Sequence, residues 1–176
     1  MEIVIINGVG GSGKDEFVRQ VQSLIGEFRC VNYSTVDFVK FVAICAGWKE
    51  DKTPKNRAFL SNLKKTLADW DDVPYKKTVR EIERTREEAE KYNRLDSTVM
   101  FIHCREPEEI GRFVDEFDAH TVLVTRDAAE ETEQSNDSDR NVWNYNYDII
   151  VDNNGSIEEL REAAETYLRE ELGLEF

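Results

Sequence analysis

The sequence predicts an α/β fold of three layers, in which helices cover both faces of a five-stranded parallel sheet. Short, nearly continuous apolar runs rich in β-branched residues recur along the chain, and residues 3–6 (Ile-Val-Ile-Ile) form the first. Such runs are typical of strands buried on both faces. They alternate with segments whose apolar residues repeat at helical spacing, which favours parallel strands joined by right-handed crossovers.

The first half of the chain is predicted to contain two strands and four helices. A β-branched strand over 2–7 precedes a helix over 15–26, whose apolar residues share one face. A short strand follows at 30–33. Residues 34–37 (Ser-Thr-Val-Asp) resemble a capping box for a helix that ends near 46. This helix is apolar around most of its circumference, which predicts deep packing. An apolar stripe predicts a helix over 56–70, and Pro74 begins a charged one.

The second half is predicted to contain three strands, at 98–103, 121–125 and 147–151. Pro107 lies in the first turn of the helix between the first two, beside acidic residues that suit the helix dipole. Residues 126–145 show no periodicity. Ser156 and Glu159 form a capping box for the final helix.

These elements predict one domain, 1–176, with a helical insertion at about 34–95 and a loop at about 126–146. A loop of that length is typically functional or disordered.

The composition excludes some classes of partner. The chain has 176 residues, with 23 Lys and Arg against 37 Asp and Glu, and a net charge of −14. Such a chain repels nucleic acid and anionic membrane surfaces over most of its area, so we expect neither as a partner. Cys30, Cys45 and Cys104 form no CxxC pair, which indicates free core thiols in a reducing compartment. The apolar runs are strand-length and the N-terminus has no basic leader, so we expect a cytoplasmic protein.

One motif indicates the chemistry. The spacing GxxxxGK is met between a predicted strand and a predicted helix, by Gly8, Gly10, Gly11, Ser12, Gly13 and Lys14. Glycines allow backbone N–H groups to curl around an anion, and the start of the helix adds partial positive charge. Lys14 would bridge the β- and γ-phosphates of ATP. The alternative is a glycine-rich turn with a surface lysine. The context favours the Walker A interpretation, and with it ATP as the ligand.

Asp15 occupies the position where this motif usually carries Ser or Thr. The usual hydroxyl is a ligand of Mg²⁺, and a carboxylate is also a suitable ligand, directly or through water. We therefore predict that Asp15 serves a Mg²⁺ ion. The alternative is an acidic residue placed in the first helical turn by the helix dipole.

The sequence Gly-Ser-Gly-Lys-Asp at 11–15 resembles P-loop kinases of small phosphorylated metabolites, among them phage-type deoxynucleoside monophosphate kinases and animal phosphomevalonate kinases. Segments at 37–40, 47–64, 105–110 and 147–155 resemble bacterial and phage proteins described as adenylate-kinase-like. The resemblance covers nearly the whole chain, but only the glycine-rich motif is specific. It implies the P-loop NTPase fold, a helical acceptor-binding insertion, a mobile lid, and ATP-dependent transfer to a nucleoside or deoxynucleoside monophosphate.

Phosphoryl transfer between phosphates requires further cations, because several negative charges converge. Arg57 and Lys64 lie in the helical insertion, and Arg126 and Arg140 lie in the loop expected to form the lid. Arg105 follows the third strand, at the sheet edge where α/β proteins bind ligands, and the resemblance implies an acceptor-phosphate arginine there. For the others, a solvated surface is an alternative interpretation.

The remaining candidates are less specific. Asp37 would orient the acceptor, although helix capping also explains it. The resemblance implies that the loop containing Asn154 lies against the donor base, whereas a turn before a helix needs the same residue types. Related kinases often carry an Asp near the end of the third strand, where this chain has His103. That departure, together with the acidic loop expected to form the lid, keeps open a nucleotide-binding regulatory module with reduced activity. A second alternative is the same chemistry on a non-nucleotide phosphate, such as a phosphomevalonate-like acceptor.

Overall fold

A computed structural model describes residues 1–51, 53–130 and 141–176, with Glu130 described by its backbone alone. The strands are β1 Glu2–Asn7, β2 Cys30–Ser34, β3 Val99–His103, β4 His120–Thr125 and β5 Ile149–Asp152. The α-helices are α1 Lys14–Ile25, α2 Asp37–Cys45, α3 Pro54–Asp71, α4 Val73–Lys91, α5 Pro107–Phe117, α6 Asp127–Glu130 and α7 Ile157–Thr166. Short 3₁₀ turns lie at Leu95–Ser97 and Asn141–Asn144, and a π turn at Tyr167–Glu171 extends α7.

The five strands form one parallel sheet, as the sequence predicts, and their order is β2-β3-β1-β4-β5. The central strand β1 pairs with β3 on one side and with β4 on the other. Because all strands run the same way, their carboxyl ends meet at one edge of the sheet. That edge carries the residues that follow β1, β3, β4 and β5, and ligands of open α/β sheets bind in this position.

Helices cover both faces of the sheet, so the three-layer prediction is confirmed. On one face, α1 and α7 pack with the strands around Phe17, whose ring meets Phe101 and Tyr167 edge-on. On the other, α4 and α5 pack through Tyr75 and Phe113, whose rings stack at 4.7 Å between centroids. Strands buried on both faces account for the continuous apolar runs in the sequence.

The helical insertion departs from the predicted packing. Helix α2 buries only Val39 and Ala43, while Phe41 is 59% and Ile44 45% exposed. The prediction that α2 is deeply packed is therefore wrong, because its neighbours α3 and α4 cover only one side of it. Helix α3 has no buried residue. Cys45, at the end of α2, is exposed, so the prediction of core thiols holds for Cys30 and Cys104 alone.

Of the two capping boxes that the sequence predicts, one forms completely and the other in part. Ser156 and Glu159 form the complete box at α7. At α2 only half of the box forms: Asp37 Oδ2 accepts from the backbone N–H of Ser34 at 2.9 Å, but the helix begins at Asp37 with Val36 as its N-cap. The segment 126–146, predicted as a loop, contains α6 and the 3₁₀ turn Asn141–Asn144. No helix within the described residues is long and apolar enough to span a membrane.

Candidate functional site

The glycine-rich segment 8–14 forms a tight turn between β1 and α1, at the carboxyl edge of the sheet. Gly8, Gly11 and Gly13 have φ angles of 149°, 82° and 96°, which side chains of L-residues rarely allow. A Cβ at Gly8 would also overlap the backbone oxygen of Val124 in β4. The glycines at these positions are therefore required by the backbone, and the turn leads directly into the N-terminus of α1.

Two side chains of this segment are arranged as an anion site would require. Ser12 is fully buried, and its Oγ has no hydrogen-bond partner in the part of the chain that the structure describes. That oxygen lies 2.6 Å from the point a Cβ of Gly8 would occupy, and thus inside the turn. Lys14 Nζ donates to the carbonyls of Gly8 at 2.5 Å and Val9 at 2.9 Å, so the ammonium lies over the same turn.

Asn153, directly after β5, holds the glycine-rich turn from two strands away in the sheet, across the end of β4. Its Nδ2 donates to the carbonyl of Ser12 at 2.8 Å, and a Cβ at Gly13 would overlap that nitrogen. The sequence predicts a ligand contact for the adjacent Asn154, whose Oδ1 accepts from the backbone N–H of Asp127 at 2.9 Å. Two adjacent asparagines offer no signal that separates these roles.

A second polar contact, also absent from the sequence prediction, lies beneath the turn. Asn7 is fully buried at the end of β1, and its Oδ1 accepts from the backbone N–H of Gly8 at 2.8 Å. Asn7 Nδ2 donates to the Tyr147 hydroxyl at 2.7 Å. That hydroxyl donates to the carbonyl of Val142 at 2.9 Å. Burial raises the pKa of Tyr147 to about 12, so the phenol is neutral and able to donate.

Asp15, the predicted metal residue, is exposed at the start of α1, with 79% of its side chain accessible. One carboxylate oxygen lies 3.7 Å from Nε2 of His103, which is also 2.7 Å from Oδ1 of Asn32. Burial lowers the pKa of His103 below its usual value, although the Asp15 carboxylate opposes the shift. His103 is thus a half-buried, hydrogen-bonded group beside Asp15 at the end of β3.

The insertion contributes a mixed polar and aromatic surface near the end of β2. Asp37 Oδ1 accepts from Lys40 Nζ at 3.0 Å, and Oδ2 accepts from the backbone N–H of Ser34, so both oxygens have partners. Lys77 Nζ lies 4.5 Å above the Phe38 ring, in a cation–π arrangement. Asp37 is therefore held by local contacts at the start of α2, and a role toward an acceptor stays a prediction.

The predicted cations lie in different environments. Arg105 is half-buried two residues after β3, and Arg126 is exposed directly after β4, so both stand at the same edge as the glycine-rich turn. Arg57 is exposed on α3. Lys64, also on α3, donates to Glu109 of α5 at 2.7 Å. Arg140 lies outside the described residues.

The Lys64 ion pair is partly buried, with 23% of the lysine and 12% of the glutamate side chain exposed. Burial alone would lower the pKa of Lys64, but the charge and hydrogen bond of Glu109 outweigh it, and the pKa is raised. The same Glu109 oxygen accepts from the Cys104 thiol at 3.3 Å. Lys64 thus joins α3 to the body of the domain.

The described residues contain no group of three or more His, Cys, Asp or Glu side chains that would hold a metal ion by themselves. In nucleotide sites Mg²⁺ keeps several waters and takes one or two carboxylates together with phosphate oxygens. Asp15 is suited to be one such carboxylate. The unpartnered Ser12 hydroxyl and the glycine turn likewise fit a phosphate group.

Comparison with known proteins assigns no family to the chain. No protein-family model matches the chain, and no curated protein matches it. Similar solved structures include an unliganded sugar kinase of Janibacter sp. HTCC2649, at 15% identity and a TM-score of 0.47 over 96% of this chain and 94% of that one. They also include the Thermus thermophilus protein TT1252, at 18% identity and a TM-score of 0.43 over 96% of this chain and 97% of that one. Likeness at this level does not bear on function.

Proposed function

We propose that this protein is an ATP-dependent phosphotransferase that acts on a small phosphorylated acceptor, a nucleoside or deoxynucleoside monophosphate. The observation that carries the proposal is the glycine-rich turn at the N-terminus of α1, with the unpartnered buried hydroxyl of Ser12 and the ammonium of Lys14 over it. Backbone amides, the helix terminus and a lysine together form a binding site suited to a polyphosphate.

On the donor side, Lys14 would exchange the carbonyls of Gly8 and Val9 for phosphate oxygens. A charge-assisted bond to phosphate is stronger than one to a neutral carbonyl, which favours the exchange. Mg²⁺ bound with the nucleotide would neutralise charge that develops on the phosphates. Asp15 would hold that ion or one of its waters, and without the ion its carboxylate would repel the nucleotide.

On the acceptor side, Arg105 and Arg126 flank the glycine-rich turn at the ends of neighbouring strands. We propose that they hold the acceptor phosphate and the transferred group. Arg57, Lys64 and Asp37 of the insertion would contribute to binding the acceptor, and Arg140 to closing over the phosphates. A phosphate acceptor is already anionic, so the reaction depends on positioning and charge rather than on a general base.

The proposal is tested by an ADP-release assay with purified protein, ATP and Mg²⁺ over a panel of nucleoside monophosphates and small organic phosphates. Turnover that depends on one nucleotide acceptor supports it. Turnover only with a non-nucleotide phosphate, of which phosphomevalonate is an example, moves the acceptor to that class. ATP binding without turnover for any acceptor would refute the transferase and leave a nucleotide-binding regulatory module. Failure to bind ATP would refute both.

A further inference from the structure

Three consecutive hydrogen bonds connect the first glycine of the turn to the 3₁₀ turn Asn141–Asn144. Gly8 N–H donates to Asn7 Oδ1, Asn7 Nδ2 donates to the Tyr147 hydroxyl, and that hydroxyl donates to the carbonyl of Val142. Asn7 and Tyr147 are 140 positions apart in sequence and 2.7 Å apart at these atoms. We call these bonds the Gly8–Val142 relay.

The direction of every bond in the relay is determined by its two ends. A backbone carbonyl such as that of Val142 only accepts, so the single proton of the Tyr147 hydroxyl must point to it. The hydroxyl then accepts from Asn7, which places the Asn7 nitrogen toward Tyr147 and its oxygen toward Gly8. The N–H of Gly8 only donates, which requires the same orientation. A flipped amide would oppose donor to donor at Gly8.

Apolar packing joins the same segments independently. Val9, the second residue of the turn, packs with Val142 and with Leu123 and Ala129, and Tyr147 packs against this group. Val142 is fully buried and Val9 is 6% exposed. Val142 thus holds adjacent residues of the turn in two ways, through its side chain at Val9 and through its carbonyl and the relay at Gly8.

From this arrangement we infer that Tyr147 is a positioning residue for the glycine-rich turn. Its hydroxyl is the nearer of two acceptors that orient Asn7 Nδ2, at 2.7 Å against 3.5 Å for the carbonyl of Arg105, and Asn7 in turn orients the peptide of Gly8. The consequence for a ligand is specific. Asn7 occupies the N–H of Gly8, so a phosphate is left to the later amides of the turn and to Lys14. The other polar group of the Gly8 backbone, its carbonyl, accepts a hydrogen bond from Lys14 Nζ. This inference rests on the proposed ATP site.

The test removes the hydroxyl and keeps the ring. Tyr147→Phe deletes two hydrogen bonds of the relay, and the matched control Tyr145→Phe alters the neighbouring tyrosine, whose ring lies 5.3 Å from that of Tyr147. Affinity for Mg²⁺ and a non-hydrolysable ATP analogue is measured by calorimetry well below the melting temperature. We expect Tyr147→Phe to bind about three- to tenfold more weakly, as the loss of one or two positioning hydrogen bonds predicts, and Tyr145→Phe to bind like the unaltered protein.

A second measurement needs no nucleotide. Amide hydrogen exchange at Gly8, followed by NMR, should be slow in the unaltered protein and in Tyr145→Phe, and faster in Tyr147→Phe, because a reoriented Asn7 no longer protects that N–H. Rapid exchange at Gly8 in the unaltered protein would overturn the relay, and this result does not depend on any variant folding.

The two proposals fail in different ways. Equal analogue affinity of Tyr147→Phe and the unaltered protein overturns the positioning role while the ATP site stands. A weakening of the same size in Tyr145→Phe also overturns it, because the effect then follows packing rather than the hydroxyl. If the unaltered protein does not bind the analogue at all, the proposed function is refuted, and the positioning role is refuted with it.

Discussion

Asn153 and Ser12 are joined across the carboxyl edge of the sheet, by a 2.8 Å hydrogen bond from the asparagine side chain to the serine carbonyl. The bond holds the glycine-rich turn against the end of β5, over a separation of 141 positions in sequence. It also requires a close approach, since Asn153 occupies the space that any side chain at position 13 would enter. Glycine at 13 therefore serves both the left-handed backbone and this contact.

Gly13→Ala tests this double requirement, and Gly47→Ala is its matched control. The two glycines have φ angles of 96° and 97°, but no atom lies within 4 Å of a Cβ at Gly47. Backbone strain alone should destabilise either variant by about 1 kcal/mol. Gly13→Ala also displaces Asn153 and should cost about 1 kcal/mol more. Equal free energies of unfolding, measured in urea, would contradict the contact with Asn153.

Lys14→Ala tests the chemical role of the turn. Removing the ammonium should lower phosphoryl transfer at least about 100-fold, as the loss of one electrostatic stabiliser of a transition state typically does. Circular dichroism should show an unchanged fold, because the Lys14 ammonium donates to carbonyls of its own turn, five and six positions away in sequence. Lys65→Ala is the control, because Lys65 is an exposed lysine on α3, and this variant should leave the rate of phosphoryl transfer unchanged. Undiminished transfer by Lys14→Ala would rule out the assignment of this lysine.

The parallel sheet and the glycine-rich turn could be predicted because both are local patterns. Apolar β-branched runs require strands buried on two faces, and the GxxxxGK spacing has a mechanical reason at each glycine. Contacts between distant segments carried no such signal. Nothing in the sequence pairs Asn7 with Tyr147, or Lys64 with Glu109, which lies 45 positions away. Such pairs depend on how helices and strands meet.

The error at α2 has a different cause. An apolar surface around a whole helix predicts burial only if the rest of the chain can cover it. In the described structure α2 lies in an insertion at the sheet edge, where α3 and α4 supply only partial cover, so Phe41 and Ile44 remain exposed. Periodicity shows which residues favour burial, but not whether enough neighbouring chain exists to bury them.

The Lys64–Glu109 pair should contribute measurably to stability, because it is largely shielded from water. Lys64→Met leaves Glu109 without its cation and should destabilise the protein by about 2 kcal/mol, below the cost for a fully buried pair. The neighbouring Lys65 pairs with Asp69 where both side chains are largely exposed, so Lys65→Met should change stability by less than about 1 kcal/mol. Equal effects of the two variants would show that the shielding has no energetic consequence.

The Lys64–Glu109 pair also predicts that the free energy of unfolding depends on pH in the alkaline range. The pKa of Lys64 is raised in the folded protein above its ordinary value of 10.5. The folded state thus holds the proton more tightly, and the resulting stability is complete below pH 10.5 and lost as the pH rises through the folded pKa. The difference in unfolding free energy between the unaltered protein and Lys64→Met should therefore shrink above pH 10.5. A constant difference would contradict the ion pair.

Two tyrosines with buried rings should respond oppositely to loss of their hydroxyls. The hydroxyl of Tyr167 is buried with no hydrogen-bond partner among the described residues, and burial raises the pKa of this phenol. A buried polar group without a partner carries a desolvation cost, so Tyr167→Phe should be neutral or should stabilise the protein by about 1 kcal/mol. Tyr75 instead donates to Glu116 at 2.7 Å. Tyr75→Phe should lower the free energy of unfolding by about 1–2 kcal/mol, since a bond to a charged acceptor is lost. Urea unfolding of both variants at neutral pH measures the contrast, and a loss of stability in Tyr167→Phe as large as that in Tyr75→Phe would show that the Tyr167 hydroxyl has a partner after all.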